Sequence, residues 1–260
     1  MKKISKYQII TIIVTIITIT VNGLANTLPL NGQATGEISD RFAIYFVPAG
    51  YVFSIWGLIY AGLIAFTIFQ ALPAQRENQL IKKISPAYWA GSLANAVWIF
   101  LWHYEFFPLT LVVMVAILVS LLVIFMVISK ARTKLNKNEK LFVSLPFSVY
   151  LGWITVAVVA NVSQVLYYLE WDGLGIAPAL WAAIMLAVAV LLGLLMLVRE
   201  KDIAYVLVLV WAFVGIARKH AAVELVANTA WVAASIMLVA AVFSLFLYNK
   251  NTLEKVENDN

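Results

Sequence analysis

The sequence contains no cysteine. Disulfides and thiolate metal sites are excluded outright, and nothing follows about redox compartment. Charge is nearly as scarce. Only 12% of the residues are Asp, Glu, Lys or Arg, against about one quarter in an ordinary soluble domain. A chain with so little charge lacks the surface that a water-soluble fold must present, so a soluble globular enzyme is excluded. Histidine occurs twice, as His103 and His220. His103 and Glu105 make two metal ligands without a third, so no metal site is assigned. No Ser-His-Asp triad, phosphate loop or carboxylate pair can be assembled from what remains, and no catalytic residue is assigned.

What is present is apolar. Hydrophobic residues make up 63% of the 260, and mean hydropathy is +0.93. The long apolar runs are roughly 7–25, 44–72, 87–106, 109–129, 141–168, 177–198, 203–217 and 225–248. In hydrocarbon every backbone amide needs a partner, which leaves helices or the strands of a closed barrel. Barrel strands alternate apolar and polar residues over ~10 positions, whereas these runs are apolar on every face. The fold class is therefore an all-α polytopic membrane protein with eight spans. Seven runs reach the roughly 20 residues a bilayer needs. The run 203–217 is shorter, about 22 Å at 1.5 Å per residue, and Arg218 and Lys219 would serve it as snorkelling flanks.

The net charge of +5 does not point to nucleic acid, because the cations lie in short loops between apolar runs. With the N-terminus inside, the inner segments hold Lys2, Lys3 and Lys6; Arg76, Lys82 and Lys83; Lys130, Arg132, Lys134, Lys137 and Lys140; Arg199 and Lys201; Lys250 and Lys255. Only Arg41, Arg218 and Lys219 of the 18 basic residues fall outside. That is the positive-inside pattern, and it puts both termini on the cytoplasmic side. The basic start before an Ile- and Thr-rich run also resembles a secretory signal, although the run is long for one.

Charge is missing from 44–72, 86–102, 106–129 and 141–169. A proton- or ion-coupled pump keeps a carboxylate or histidine at such depths, so active transport is disfavoured and facilitated movement is not. Aromatic and amide groups take its place. Trp56 and Tyr60 share one helix face, as do Asn95, Trp98 and Trp102, and again Trp153, Ala157 and Asn161. An apolar slot with sparse amide and indole N–H groups suits a flat, largely aromatic ligand. The plainer reading also stands: Trp and Tyr line membrane interfaces, and Asn between helices ties them together. Spacing does not separate these readings.

Three segments resemble a known family. Val47-Pro-Ala-Gly-Tyr-Val-Phe-Ser-Ile-Trp-Gly-Leu-Ile-Tyr60, with Pro48, Trp56 and Tyr60, resembles the second helix of the TspO/MBR family, the tryptophan-rich sensory and translocator proteins (peripheral benzodiazepine receptor-like). Asn95-Ala-Val-Trp98, with Pro108 beyond it, resembles the third helix. Pro146-Phe-Ser-Val-Tyr-Leu-Gly-Trp-Ile-Thr-Val-Ala157, reaching Asn161, is similar to the fifth. The resemblance covers about residues 1–170 and implies a five-helix domain there, with 171–260 as a three-helix extension and polar tail. It implies a pocket for a porphyrin or haem-like tetrapyrrole, required as no cofactor but bound as a ligand. Trp56, Asn95, Trp98, Trp153 and Ala157 would line it, and the polar loop Asn26–Ala43 would be its lid. The sequence departs from the family where paired lid Trp residues are usual, carrying Phe42 and Tyr45. It departs again at Met114, where an acidic residue is common, and in the helices after Glu170. Those helices would form a partner surface, a homodimer seam or an added half of a pore.

The expected function is a binding protein or sensor for a tetrapyrrole or other hydrophobic aromatic ligand in the lipid bilayer of a bacterial-type inner membrane. The alternative is a facilitator moving such a ligand or a small metabolite; an enzyme acting on a tetrapyrrole or isoprenoid ranks below both. Eight spans place a reporter fused after residue 170 outside and one at the C-terminus inside. A C-terminal reporter found outside means that the first run is cleaved or that 203–217 does not span.

Overall fold

The computed structural model describes residues 4–28 and 30–258, with side chains described except at 26 and 247–258. Lys2 and Lys3 lie outside the described residues, as do the side chains of Lys250 and Lys255. All regular structure among the described residues is helical. The helices are α1 (Lys6–Thr27), α2 (Thr35–Asp40), α3 (Ile55–Ala71), α4 (Gln79–His103), α5 (Phe107–Ala131), the single turn α6 (Lys137–Glu139), α7 (Leu145–Tyr168), α8 (Pro178–Glu200), α9 (Ile203–Lys219) and α10 (Glu224–Asn258).

Their ends follow ordinary capping chemistry. Ser5 and Gln8 form a capping box at the start of α1, Asn78 caps α4 and Asp202 caps α9, each supplying an acceptor to otherwise orphaned amides. Proline sits in the first turn of α5 and α8, where its missing N–H costs no bond, and Pro146 follows the π-helical turn Lys140–Ser144 that runs into α7. Two boundaries differ from the sequence reading. The third run begins at Gln79 and passes through Pro86 without ending; Ser85 Oγ donates to Ile81 O at 2.7 Å in that turn. The loop Asn26–Ala43 is not wholly irregular, since it contains α2.

Six helical segments are long and apolar enough to cross a membrane, drawn from α1, α3, α5, α7, α8 and α10. The other two expected spans are helices that fall short of this. α4 carries Lys82 and Lys83 and buries Ser85, Ser92 and Asn95, and α9 has only 17 residues.

The chain divides into two compact units, Met1–Ile44 with Phe53–Asp172, and Tyr45–Val52 with Gly173–Asn260. In the first, α1 packs on α3 and α4, α4 on α5, α5 on α7, and α7 back on α3, so five long helices close a ring. Lipid tails supply no hydrophobic drive between helices, so close packing and hydrogen bonds must hold them. Gly91 shows the packing: a Cβ there would stand 3.0 Å from the Ser120 Cβ.

The hydrogen bonds line one face of α1. Gln8, Thr11, Thr15, Thr18 and Asn22 recur every three or four residues and are all buried. Gln8 Nε2 donates to Gln70 O at 2.8 Å, and Trp89 Nε1 to Thr11 Oγ1 at 2.9 Å. Thr15 Oγ1 lies 2.9 Å from Thr67 Oγ1 and 2.5 Å from the Tyr88 hydroxyl. Thr18 Oγ1 donates to Ser92 O at 3.1 Å. The seam ends where Asn22 Nδ2 donates to Asn95 Oδ1 at 2.6 Å.

In the second unit α8, α9 and α10 pack on one another, and the strap Tyr45–Val52 lies on α9. Ala49 N–H donates to Gly215 O at 3.1 Å, and Trp211 Nε1 to Val52 O at 3.0 Å. Burial pushes the His220 imidazole below its ordinary pKa, against the opposing effect of its bond to Val47. The neutral ring is thus favoured at neutral pH, with Nε2 donating to Val47 O at 3.2 Å.

Thr15→Val keeps the shape of the side chain and deletes its hydroxyl. Thermal unfolding in detergent should show a loss of about 0.6–1.7 kcal/mol, the range for interhelical hydrogen bonds in membranes. Ile13→Val, at a half-exposed position on the opposite face, should be close to neutral.

Candidate functional site

Most of the expected site residues of the first unit gather in two aromatic clusters, both reached by α7. The first joins α3 to α7. Trp56 stacks on Tyr60, one helical turn away, with centroids 5.5 Å apart. Trp153 presents an edge-to-face contact to Trp56 at 6.3 Å and another to Phe53 at 5.7 Å. Tyr150 meets Trp56 at 5.9 Å. Trp153 is 2% exposed, and its Nε1–H has no hydrogen-bond partner.

The second cluster lies under the first long loop. Trp98 and Trp102 stack at 4.9 Å, and Trp102 meets Phe107 edge-on at 5.7 Å. Ile38 of α2 and Val165 of α7 complete the buried set, with Phe42 packed against it. Polar groups join this cluster to α5 and α7. Trp98 Nε1 donates to Asn161 Oδ1 at 3.3 Å, and Asn161 Nδ2 donates to Thr110 Oγ1 at 3.0 Å and Gln164 Oε1 at 2.9 Å. Gln164 Nε2 is buried without a partner.

The loop is fastened to the end of α4. Trp102 Nε1 donates to Thr35 O at 3.1 Å, and Asn31 Nδ2 to His103 O at 3.0 Å. His103 Nδ1 lies 2.8 Å from Ile99 O. A carbonyl only accepts, so that nitrogen carries a proton, and Nε2 lies 3.3 Å from Thr35 Oγ1. Glu105 receives Gln33 Nε2 at 3.2 Å and Arg41 Nη1 at 2.9 Å. Its backbone is left-handed, φ 64°, a conformation usual for glycine after a helix end; here the side chain is held by the loop. Both groups once weighed as metal ligands, His103 and Glu105, are thus engaged in fastening the loop.

Asn95 belongs to the α1 seam, its Oδ1 taken by Asn22. Ala157, half-buried on α7, lies between Trp153 and Asn161 in sequence. Pro48 falls in the strap of the other unit, buried near Gly215. Sequence spacing missed Phe53, Tyr150, Gln164 and Phe107. Tyr150 and Gln164 stand three residues from Trp153 and Asn161 and were discoverable by helical spacing, whereas nothing local marks Phe107.

The family of TSPO-like proteins matches residues 8–243. The chain belongs to that family. The match extends through α8, α9 and most of α10, so the limit near residue 170 is corrected: the three later helices lie within the family's own length. The reason for the shortfall is physical. The motifs that carry the resemblance are polar and aromatic positions on α3, α4 and α7, and the later helices of this TSPO-like protein carry no comparable run of spaced Trp, Tyr and Asn. No curated protein and no solved structure matches the chain.

Hydrogen bonds from Gln33 and Arg41 hold the Glu105 carboxyl below the usual carboxylate range. A depressed folded value means that the stabilisation is full above the ordinary carboxylate pKa of about 4.3 and is lost as pH falls below it. Protection of the amides over 33–41, measured against their intrinsic exchange rates, should therefore fall at acid pH, and Glu105→Gln should remove part of that dependence. The effect should be small, within the ~0–1 kcal/mol of an exposed pair.

Proposed function

We propose that this TSPO-like membrane protein is a non-enzymatic binding protein or sensor for a tetrapyrrole, porphyrin or haem-like, or a comparable hydrophobic aromatic ligand. The observation that carries the reading is Trp153. Its indole is walled by Phe53 and Trp56, and its N–H is buried without a partner. A bare buried donor costs about 1–3 kcal/mol, and a ligand acceptor arriving there would recover it. Trp56, Tyr60, Trp98, Trp102, Ala157 and Asn161 supply the surrounding surface in this reading. Asn95 acts through its pairing with Asn22, and Pro48 through the strap. The proposal includes eight spans, α4 and α9 being two of them, and both termini on the cytoplasmic side of a bacterial-type inner membrane. A second copy of the chain as partner would be compatible with it.

Protoporphyrin binding to the detergent-purified chain, read by quenching of Trp fluorescence, tests the reading. Trp153→Ala should weaken binding by a few kcal/mol, as truncated aromatic anchors do, in a chain that still folds. Trp153→Phe keeps a ring and deletes the N–H, so its loss should be near 1 kcal/mol. Unchanged affinity in both folded variants assigns Trp153 to packing. Liposome flux separates a sensor, which saturates, from a facilitator, which transports.

A further inference from the structure

The strap Tyr45–Val52 belongs to the C-terminal unit, yet each of its ends continues by covalent bonds into the unit that holds the aromatic clusters. Three residues before it, Phe42 meets Phe107 at 5.1 Å and Tyr167 at 6.0 Å. One residue after it, Phe53 meets Trp153 at 5.7 Å. The two rings bordering the candidate site are therefore tethered to one short segment.

That segment is held along more than two turns of α9. Beyond the Ala49, Val47 and Val52 hydrogen bonds, Tyr45 meets His220 edge-on at 5.4 Å, and Tyr51 meets Trp211 at 5.5 Å. Gly215 makes the approach achievable. A Cβ on it would stand 2.2 Å from Val52 Cγ2 and 3.0 Å from Pro48 Cβ, so even alanine forces the strap away from the helix. Backbone-to-backbone bonding through Ala49 and Gly215 needs that closeness.

We infer that Trp211 and Gly215 of α9 are positioning residues for the ligand site: by fixing the strap they set where Phe42 and Phe53 enter their aromatic contacts. This gives the C-terminal unit a task in ligand binding. The inference rests on the reading of the aromatic clusters as a ligand site.

The test uses the full chain in detergent, with protoporphyrin IX as probe and amide exchange over 36–44 and 53–57 measured without it. Gly215→Ala should weaken binding about tenfold, within what overpacking costs, and should accelerate exchange on both sides of the strap. Adding Val52→Ala removes the nearest obstructing methyl and should restore affinity to within about twofold. Gly193→Ala is the control. Its Cβ would crowd Met237 and Leu209 inside the same unit, away from the strap, and affinity and exchange should stay as in wild type. Trp211→Phe keeps a ring beside Tyr51 but loses the donor to Val52 O, and it serves if Gly215→Ala does not fold; faster exchange over 53–57 is expected. Equal losses in Gly193→Ala and Gly215→Ala overturn the inference. So do unchanged affinity and exchange in Gly215→Ala, or in Trp211→Phe where that variant replaces it. If wild type itself does not bind protoporphyrin, the functional reading fails, and the exchange measurements alone decide whether the strap positions the two rings.

Discussion

Along α1 the buried face is polar, and everything in the first unit is arranged around satisfying it. No water reaches the hydrocarbon core, so each hydroxyl and amide placed there must find protein. Gln8 finds the last turn of α3 and the residue beyond it, Thr15 finds Thr67 and Tyr88, and Asn22 finds Asn95. These bonds are directional where apolar contacts are not, so they select one rotation of α1 against α3 and α4. Each contributes little alone, but a helix turned by one residue would lose them together. The large exposed side chains along the middle of α1 are Ile and Leu, which provide solvation without specifying a rotation.

The same constraint explains which parts of the fold were legible in the sequence. Apolar runs announce helices, and the long runs returned as helices because nothing else satisfies their backbones in lipid. The Asn95 spacing was legible as a face but ambiguous in role. The partner its side chain meets is Asn22, 73 residues away, which no periodicity within α4 contains. The third run, read from about 87, starts earlier than its apolar stretch: the helix begins at Gln79 and continues through Pro86, as helices in packed membrane proteins commonly do.

The first long loop shows another limit. Its turn-forming composition read correctly as a connection, but its attachment to His103 and Glu105 depends on residues that meet only once α4 ends where it does. A histidine and a glutamate two apart read first as an incomplete metal site. In the structure the same side chains meet Thr35, Gln33 and Arg41. The strap was hidden more deeply. Pro48 was noticed for its interval to Trp56, an interval along the chain, while the contact that matters locally is with Gly215 of α9.

Against a background of satisfied polar groups, the unpaired ones carry information. The α1 seam retains one, Gln70 Oε1, an acceptor on an amide whose nitrogen is bonded. α7 retains two donors, at Trp153 and Gln164. They are 11 residues apart, about 16 Å along the axis at 1.5 Å per residue, on the face that also carries Asn161. Packing alone gives no reason to keep donors there, since phenylalanine or leucine would fill such positions without desolvating an N–H. In the proposed reading, a ligand with acceptors at its edges and an aromatic body between them supplies that reason. Such a ligand would stack on the indoles and accept from the bare N–H groups, so the donors that packing leaves unsatisfied would give it its orientation.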